Sequence, residues 1–221
     1  MSQRIPTAFD REFDEICSAL VAMSAEVRQA IGQSMVALHE CDTELAKKVI
    51  AEDEQVNALR FKIEEACLEV IATRQPIAGD LRAVVAAMYI VMEMERMGDH
   101  AAGIAKTVTM MDEEPLLKTL KKIGKMGELS QTMLADCVQA FLNRDAAWAR
   151  EIAQQDSKMD SLYSAVFNRL VKLMAHKPEM VTRATYLMWC AHNLERIADR
   201  VTNIAERIHF MVTGDLCEFK A

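Results

Sequence analysis

Two pairs of carboxylates, each pair four residues apart, are the side chains of this sequence best placed to do chemistry. Glu95 and Asp99 form the first pair, and Glu195 and Asp199 form the second, 100 residues further along the chain. Residues four apart lie on the same side of a helix, where two like charges repel each other. A pair that is partly buried also loses its hydration. The repulsion therefore has to be compensated, either from another helix or by a bound cation.

Further oxygen ligands precede each pair at matching places. Asp53 and Asn57 lie upstream of the first pair, and Asp156 and Asp160 lie upstream of the second, again four residues apart. If these residues lie on neighbouring helices of one bundle, four hard oxygen donors meet. Such a set suits Mg²⁺, Mn²⁺, Fe or Ca²⁺ better than a thiophilic ion. The sequence thus contains two candidate metal sites.

The second candidate site is the richer one. Asn203 lies one turn beyond Asp199, and His192, three residues before Glu195, could add an imidazole nitrogen. The first site has Gly103 in place of Asn203. We predict the fuller ligand set in the second half of the chain.

An arginine follows each glutamate directly, Arg96 in the first pair and Arg196 in the second. A neighbour at i+1 points about 100° away, so we expect neither arginine to neutralise its glutamate. Compensation then comes from another helix or from a bound cation. Structural ion pairs and a metal site both stay open on these grounds.

The acidic pairs continue lines of residues that a helical bundle would bury. At about 100° per residue, one such line runs through Leu81, Val85, Met88 and Met92 to the first pair. The matching line runs through Val181, Thr185, Met188 and His192 to the second pair. We therefore expect each pair to lie where a buried stripe continues.

The composition indicates that long helices position these residues. The chain has 7 glycines and 4 prolines in 221 residues, about half the usual share. A sandwich, barrel or βαβ protein needs frequent turn signals, which these counts nearly exclude. The 16 methionines and the many Ala, Leu, Glu, Lys and Arg residues favour helix. The predicted class is all-α.

Helix caps and breakers divide the chain into six long helices. The predicted helices run from a Thr7 cap to about residue 39, from Asp42 to Arg74, from an Asp80 cap to Met111, from Pro115 to Asn143, from there to His176, and on to Thr213 before Gly214. Long helices with short connections fold back as antiparallel neighbours. We predict two tandem antiparallel three-helix bundles, comprising residues 1–111 and 112–221.

An internal repeat supports this division. Residues 95–106 match residues 195–206 at five of twelve positions. Upstream, four residues recur at an offset of 103, namely Asp42, Ala46, Asp53 and Leu59 with Asp145, Ala149, Asp156 and Leu162. Because the order of the matches is kept, an ancient duplication is the economical explanation.

Charge and hydropathy exclude several function classes. A formal net charge of −7 argues against a nucleic-acid or anionic-membrane surface. The longest apolar run, from Val84 to Met92, is half a membrane span, and the N-terminus lacks the apolar core of a signal peptide. The six cysteines lie far apart without a CxxC pair, which argues against a disulfide framework or a zinc-thiolate site. We expect a soluble, cytoplasmic protein without direct membrane insertion.

Two function classes stay open for such a helical protein. A di-iron carboxylate enzyme needs Glu-x-x-His on two helices, and this chain has the motif once, at Glu206 and His209. The other alternative is a helical scaffold or adaptor whose acidic pairs are merely solvated. No nucleophile lies beside a plausible base or in a Gly-rich loop, so no catalytic residue is predicted and we expect a protein that is not an enzyme.

The repeated Glu-Arg-hydrophobic-Gly/Ala-Asp motif and the connector from Arg74 to Arg82 (RQPIAGDLR) together resemble the PhoU family of phosphate-transport accessory proteins. The resemblance covers essentially the whole chain. It implies two three-helix bundles, a cytoplasmic homodimer and negative regulation of phosphate uptake and of the phosphate-starvation response. It also implies contacts with the ATPase subunit of a phosphate ABC transporter and with a sensor histidine kinase.

Carried over by position, the resemblance implies divalent metal ions (Mg, Mn, Fe or Zn) on the acidic motifs. The implied ligands are Asp53, Asn57, Glu95 and Asp99 in the first bundle and Asp156, Asp160, Glu195, Asp199 and Asn203 in the second, with His192 as a possible extra ligand. Gly103 departs from the family pattern, which commonly has Asn there. Arg74 and Arg82 match the family connector, and a helix stop and cap do not account for them, so they are predicted to contact a partner.

Overall fold

The computed structural model describes residues 7–111 and 120–219. Its helices are α1 (Ala8–Glu40), α2 (Thr43–Arg74), α3 (Ala78–Val108), α4 (Leu120–Leu142), α5 (Ala146–Ala153), α6 (Asp156–His176) and α7 (Val181–Thr213), with a 3₁₀ turn over Pro178–Met180. Within these ranges there is no strand, so the predicted all-α class is confirmed. The predicted opening of a helix at Pro115 lies outside the described residues.

Most predicted helix ends are confirmed, and their capping groups explain them. The Thr7 hydroxyl accepts a hydrogen bond from the Asp10 backbone N–H, and the Asp10 carboxylate accepts one from the Thr7 N–H. Asp42 caps α2 by accepting two backbone N–H groups of the first turn. Gly214 ends α7 with a φ of 84°, a conformation that favours glycine.

The start of α3 differs from the prediction. Asp80 was expected as the cap, but α3 begins at Ala78, so Asp80 lies in the first turn. The reason is that Ile77 is extended and its carbonyl already accepts the Asp80 N–H at 3.1 Å. The Asp80 carboxylate is then near the positive end of the helix dipole, where it stabilises the helix.

The predicted fifth helix consists of two segments, α5 and α6, which meet at Gln154 and Gln155. Here the Gln155 N–H bonds the carbonyl of Ile152, and the Lys158 N–H bonds that of Gln155, each three residues back. This tighter turn interrupts the helix without any glycine or proline to announce it. As a result, Asp156 becomes the first residue of α6.

The helices pack in two groups that share one core. Helices α1, α2 and α3 contact one another, helices α4, α5 and α6 contact α7, and α3 lies along α7. One cluster of buried apolar side chains runs through all of these helices. The division into domains at residues 111 and 112 stays a prediction. None of the helices in residues 7–111 and 120–219 combines the length and the hydropathy needed to cross a bilayer.

A charged contact joins α3 to α7. Glu93 on α3 accepts hydrogen bonds from Arg200 at 3.4 Å and from Asn203 at 3.3 Å. The Glu93 and Arg200 side chains are 17% and 24% exposed, so their charges are partly removed from water. Burial of such charges is tolerated because they are paired.

The internal repeat produces a matching contact at the same crossing. Asn193, which corresponds to Glu93, lies with its side-chain oxygen 2.9 Å from Nδ1 of His100, which corresponds to Arg200. A Cβ added to Gly103 would lie only 3.1 Å from that oxygen of Asn193. Gly103 and Asn203 thus occupy equivalent places, and the crossing has an approximate two-fold symmetry.

We expect Glu93→Ala to lower the free energy of unfolding by about 2 kcal/mol, because it leaves the half-buried Arg200 without its carboxylate. Urea titration of the purified protein measures this change. Glu54→Ala, at an exposed position of α2, is the control and should change stability by less than about 0.5 kcal/mol. Equal effects of the two substitutions would show that the contact does not stabilise the crossing.

Candidate metal centre

The second acidic cluster is formed by α6 and α7, which pack side by side. Asp156 lies at its buried end with 8% exposure, and Asp160 lies one turn further along α6. Glu195 and Asp199 face them from α7, close enough that their charges act on Asp156. The structure thus places the other three predicted carboxylates within electrostatic range of Asp156.

Burial and repulsion raise the pKa of Asp156 to about 6, from an ordinary value of 3.8. Loss of hydration is the largest cause, followed by the charges of Asp160, Asp199 and Glu195. One oxygen of Asp156, Oδ1, is buried and has no hydrogen-bond partner among the described residues. The pKa of Asp199 is also raised, first by burial and then by Glu195. The cluster therefore carries uncompensated negative charge.

The expectation that Arg196 cannot neutralise Glu195 is wrong. Arg196 Nε donates to Glu195 Oε2 at 2.6 Å, and Arg196 Nη1 lies 2.9 Å from Asp199 Oδ2. The arginine Cβ does point away from the glutamate, but the long side chain bends back along the helix surface. Its guanidinium fork then reaches both carboxylates of the pair.

The two further candidate ligands of the second site lie on different sides of it. His192 is exposed, and its Nδ1 lies 3.6 Å from Glu195 Oε2, so the imidazole is adjacent to the cluster. Asn203 donates its side-chain amide to Glu93 on α3. In this structure Asn203 therefore belongs to the crossing of α3 with α7, and its role as a ligand stays a prediction.

The first acidic cluster is formed by α2 and α3. Asp53 lies opposite Asp99 and Glu95, and its pKa is raised by burial, by the charge of Asp99 and, more weakly, by that of Glu95. Lys106 partly offsets this increase. Asn57 lies one turn beyond Asp53 and is half-buried. The four predicted ligands thus lie on neighbouring faces of two packed helices.

A second arginine compensates the first cluster. Arg60 on α2 donates to Glu95 at 3.3 Å and to Glu64 at 3.1 Å. Residue 60 follows Asp53 by seven positions, so it lies on the same helix face. Arg60 was not among the predicted site residues, although this spacing could have drawn attention to it. Glu93 was missed as well, and the 100-residue correspondence with Asn193 could have drawn attention to it.

Gly98 allows α2 to approach α3 closely at the first cluster. A Cβ on Gly98 would lie 3.1 Å from Asp53 Oδ1 and 3.2 Å from Val56 Cγ1. Both distances are shorter than ordinary carbon contacts, so glycine gives the helices room to meet beside the carboxylates.

The acidic pairs lie at the edges of the buried faces rather than along them. Leu81 and Met92, predicted to be buried, are 37% and 38% exposed, and Val181 is 43% exposed. The prediction is wrong for these residues because α3 and α7 contact helices on several sides and bury different faces. At an edge, Glu95 and Glu195 keep 20% and 12% of their side chains exposed, whereas Asp156 is buried.

Both predicted partner-binding arginines form contacts within the chain. Arg74 donates to Glu12 at 2.9 Å across α1 and α2, and this pair lowers the pKa of Glu12. Arg82 donates to the carbonyl of Met211, near the end of α7, at 3.3 Å. A partner that binds Arg74 therefore has to compete with Glu12 for its guanidinium.

Among the described residues, no three His, Cys, Asp or Glu side chains are grouped closely enough to hold a metal ion as they stand. In both clusters, an arginine takes up carboxylate oxygens that a metal ion would use. Binding of a cation at either cluster therefore requires these side chains to move.

We expect Asp156→Asn to stabilise the metal-free protein at pH 7.5 by about 2 kcal/mol. A carboxyl group whose pKa is higher in the folded state stabilises the fold while protonated, and this stability is lost as pH rises from about 4 to about 6. The variant should therefore lack this fall in stability, which urea titration across the pH range measures. If stability depends on pH in the same way in the wild-type chain and the variant, the Asp156 carboxylate does not destabilise the fold.

This fold and this site define a class of all-helical proteins. Such a protein has two repeats, and each repeat carries carboxylates on two neighbouring helices. The family model described as "PhoU domain" matches residues 20–108 and again residues 123–208. The chain belongs to the PhoU family.

Named relatives extend over nearly the whole chain. The "Phosphate-specific transport system accessory protein PhoU homolog" of Streptococcus pneumoniae is 34% identical over 95% of this chain and 97% of its own length. The Escherichia coli "Phosphate-specific transport system accessory protein PhoU" is 33% identical over 97% of this chain and 89% of its own.

Solved structures agree with this assignment. The crystal structure of the phosphate transport system regulatory protein PhoU from Streptococcus pneumoniae matches with a TM-score of 0.89 and 34% identity, covering 95% of this chain and 99% of that one. PhoU from Pseudomonas aeruginosa matches with a TM-score of 0.88 and 31% identity, covering 94% and 100%.

Proposed function

We propose that this protein is a negative regulator of phosphate uptake and of the phosphate-starvation response. It acts without catalysis, through contacts with the ATPase subunit of a phosphate ABC transporter and with a sensor histidine kinase. The observation that carries the proposal is the match of both repeats to the PhoU domain, together with relatives named as accessory proteins of phosphate-specific transport. We further propose that it works in the cytoplasm as a homodimer.

The proposal includes a divalent cation at the acidic clusters. The residues of the second cluster suit a hard cation, because Asp156 has a buried oxygen with no hydrogen-bond partner in residues 7–111 and 120–219. The charges of three other carboxylates also act on Asp156. The cation would be held by Asp156, Asp160, Glu195 and Asp199. The first cluster would hold one through Asp53, Asn57, Glu95 and Asp99.

A bound cation would supply positive charge that offsets the repulsion among the carboxylates. At the second cluster, this charge would favour the ionised form of Asp156 and hold α6 against α7. We propose that the metal thereby stabilises the surface that partners contact. Mg, Mn, Fe and Zn are all candidates.

A di-iron enzyme is the less favoured alternative. Its Glu-x-x-His motif occurs once in the sequence, and both members contact the C-terminal segment. Glu206 accepts the backbone N–H of Phe219 at 2.8 Å, and the His209 ring packs against the Phe219 ring. Neither side chain belongs to the acidic clusters described above, so we favour a binding protein over an enzyme or an unrelated adaptor.

The experiment that tests the proposal is a binding measurement with the host's purified transporter ATPase and the soluble part of its phosphate-sensing kinase. We expect at least one of them to bind the full chain. Arg74→Ala should weaken this binding, whereas Glu12→Ala, which releases Arg74 from its ion pair, should not. If neither partner binds the folded protein, the regulatory proposal fails.

A further inference from the structure

We propose that Arg196 is a built-in competitor of the cation at the second acidic cluster. Its guanidinium occupies carboxylate oxygens of Glu195 and Asp199, so a divalent cation gains both carboxylates only by displacing Arg196. The inference rests on the metal site proposed above and deepens it, because it assigns the residue that limits cation affinity.

The geometry of Arg196 is that of a clamp across the pair. Nε and Nη2 donate to the two oxygens of Glu195, and Nη1 contacts Asp199 Oδ2 at 2.9 Å. Three guanidinium nitrogens are thus engaged by the same two side chains. A hard cation uses carboxylate oxygens as its ligands, so it competes directly with this fork.

The side chain is free enough to leave the cluster. The Arg196 side chain is 40% exposed, whereas that of Glu195 is 12% exposed, so the guanidinium lies on the solvent side of the glutamate. A displaced guanidinium regains water, which makes the exchange less costly than breaking a fully buried ion pair.

One guanidinium does not compensate the cluster fully. Four carboxylates lie within electrostatic range of one another, and the buried Oδ1 of Asp156 has no partner among the described residues. The nearby Arg200 offsets part of the charge of Asp199, but its guanidinium donates to Glu93 on α3. The cluster therefore retains an attraction for a cation of higher charge than Arg196 provides.

The first repeat is arranged differently at the equivalent place. There Glu95 pairs with Arg60 from the neighbouring helix, which also holds Glu64, and Arg96 is exposed. Residue 60 corresponds to Tyr163 in the second repeat, which carries no positive charge. After the duplication, the glutamate of the first site is paired with Arg60 from α2. The glutamate of the second site is paired with Arg196, its neighbour in the sequence.

The test is a titration of the full chain with Mn²⁺ alone. The electron paramagnetic resonance signal of the free ion measures how much Mn²⁺ stays unbound. We expect Arg196→Met to bind Mn²⁺ about tenfold more tightly than the wild-type chain, because the competitor is removed and its apolar stem is kept. Arg196→Lys keeps the charge but not the fork, and its affinity should lie between the two. Arg96→Met is the matched control and should leave Mn²⁺ affinity unchanged.

Unfolding curves distinguish an arginine that competes with the cation from one that only stabilises the fold. In chelator, Arg196→Met should be less stable than the wild-type chain, because repulsion within the pair is no longer compensated. With Mn²⁺ it should be stabilised more than the wild-type chain is. Equal Mn²⁺ affinities of the wild-type chain and Arg196→Met would overturn the competitor role while leaving the metal site intact. If no variant binds even at millimolar Mn²⁺, the metal site and this inference both fail, whereas the partner-binding experiment would be unaffected.

Discussion

Alanine at Glu95, Asp99, Glu195 and Asp199 together is expected to abolish binding of divalent cations. These four residues are the paired carboxylates of α3 and α7. Without them each cluster keeps oxygen donors from one helix alone, which is too few for a hard cation. Elemental analysis of protein purified without chelator or affinity metal measures the loss. Mn²⁺ should also no longer stabilise the variant, whereas at one hundred times its dissociation constant it should stabilise the wild-type chain by about 2.7 kcal/mol.

The control for this variant carries the same change in net charge. Alanine at Glu54, Glu65, Glu151 and Glu179 removes four exposed carboxylates outside the two clusters. This control should retain the metal content of the wild-type chain. If the cluster variant also retains its metal and its phosphate control, the acidic pairs are only solvated charges on a helical scaffold.

Gly98→Leu is expected to lower the free energy of unfolding by about 2 to 3 kcal/mol. A Cβ at this position would already lie 3.1 Å from Asp53 Oδ1 and 3.2 Å from Val56 Cγ1, and the rest of a leucine would extend between α2 and α3. Overpacking of a close contact has a cost of this size. The helices would move apart at the first cluster, so Mn²⁺ binding there should weaken as well. Urea titration and Mn²⁺ titration measure the two effects.

The internal repeat supplies the matched control for Gly98. The equivalent residue of the second repeat is Ala198, which is fully buried on α7. Gly98→Ala should therefore change stability by less than about 1 kcal/mol, since small shifts of the Asp53 and Val56 side chains relieve the two contacts and alanine favours helix. A leucine variant as stable as the alanine variant would show that the helices do not meet closely at this position.

The sequence was sufficient to predict the helical class and most helix ends, because caps act through local hydrogen bonds. Thr7 with Asp10, Asp42 and Gly214 each satisfy backbone groups within a few residues of themselves. The break before Asp156 could not be predicted in this way. Gln154 and Gln155 are compatible with helix, and only the hydrogen bonds of the folded chain show the tighter turn.

The carboxylates of the site were predictable, whereas their partners were not. Spacing along one helix places Glu195 and Asp199 on one side, and the repeat relates them to Glu95 and Asp99. Which arginine compensates a carboxylate depends on side-chain conformation and on how helices pack. Arg196 reaches the preceding residue by bending back, and Arg60 reaches Glu95 across two helices. A 100° projection places Arg60 on the same helix face as Asp53, but it does not show that either arginine contacts its glutamate.

The duplication explains why the two halves are alike in outline and different in detail. The contact of Asn203 with Glu93 and the approach of Asn193 to Gly103 occupy equivalent positions at the crossing of α3 with α7. The contact at Asn203 involves the charged Glu93, whereas the contact at Gly103 involves the neutral amide of Asn193. We expect the two acidic clusters to have diverged in the same way, with different cation affinities.

The central claim, negative regulation of the phosphate-starvation response, is tested most directly by phosphatase output in the native host. We expect deletion of the gene to switch on phosphatase secretion in high phosphate, and the wild-type chain supplied in trans to switch it off again. If phosphatase output in high phosphate stays low after deletion, while phosphate starvation still induces it normally, the proposed regulatory function is contradicted.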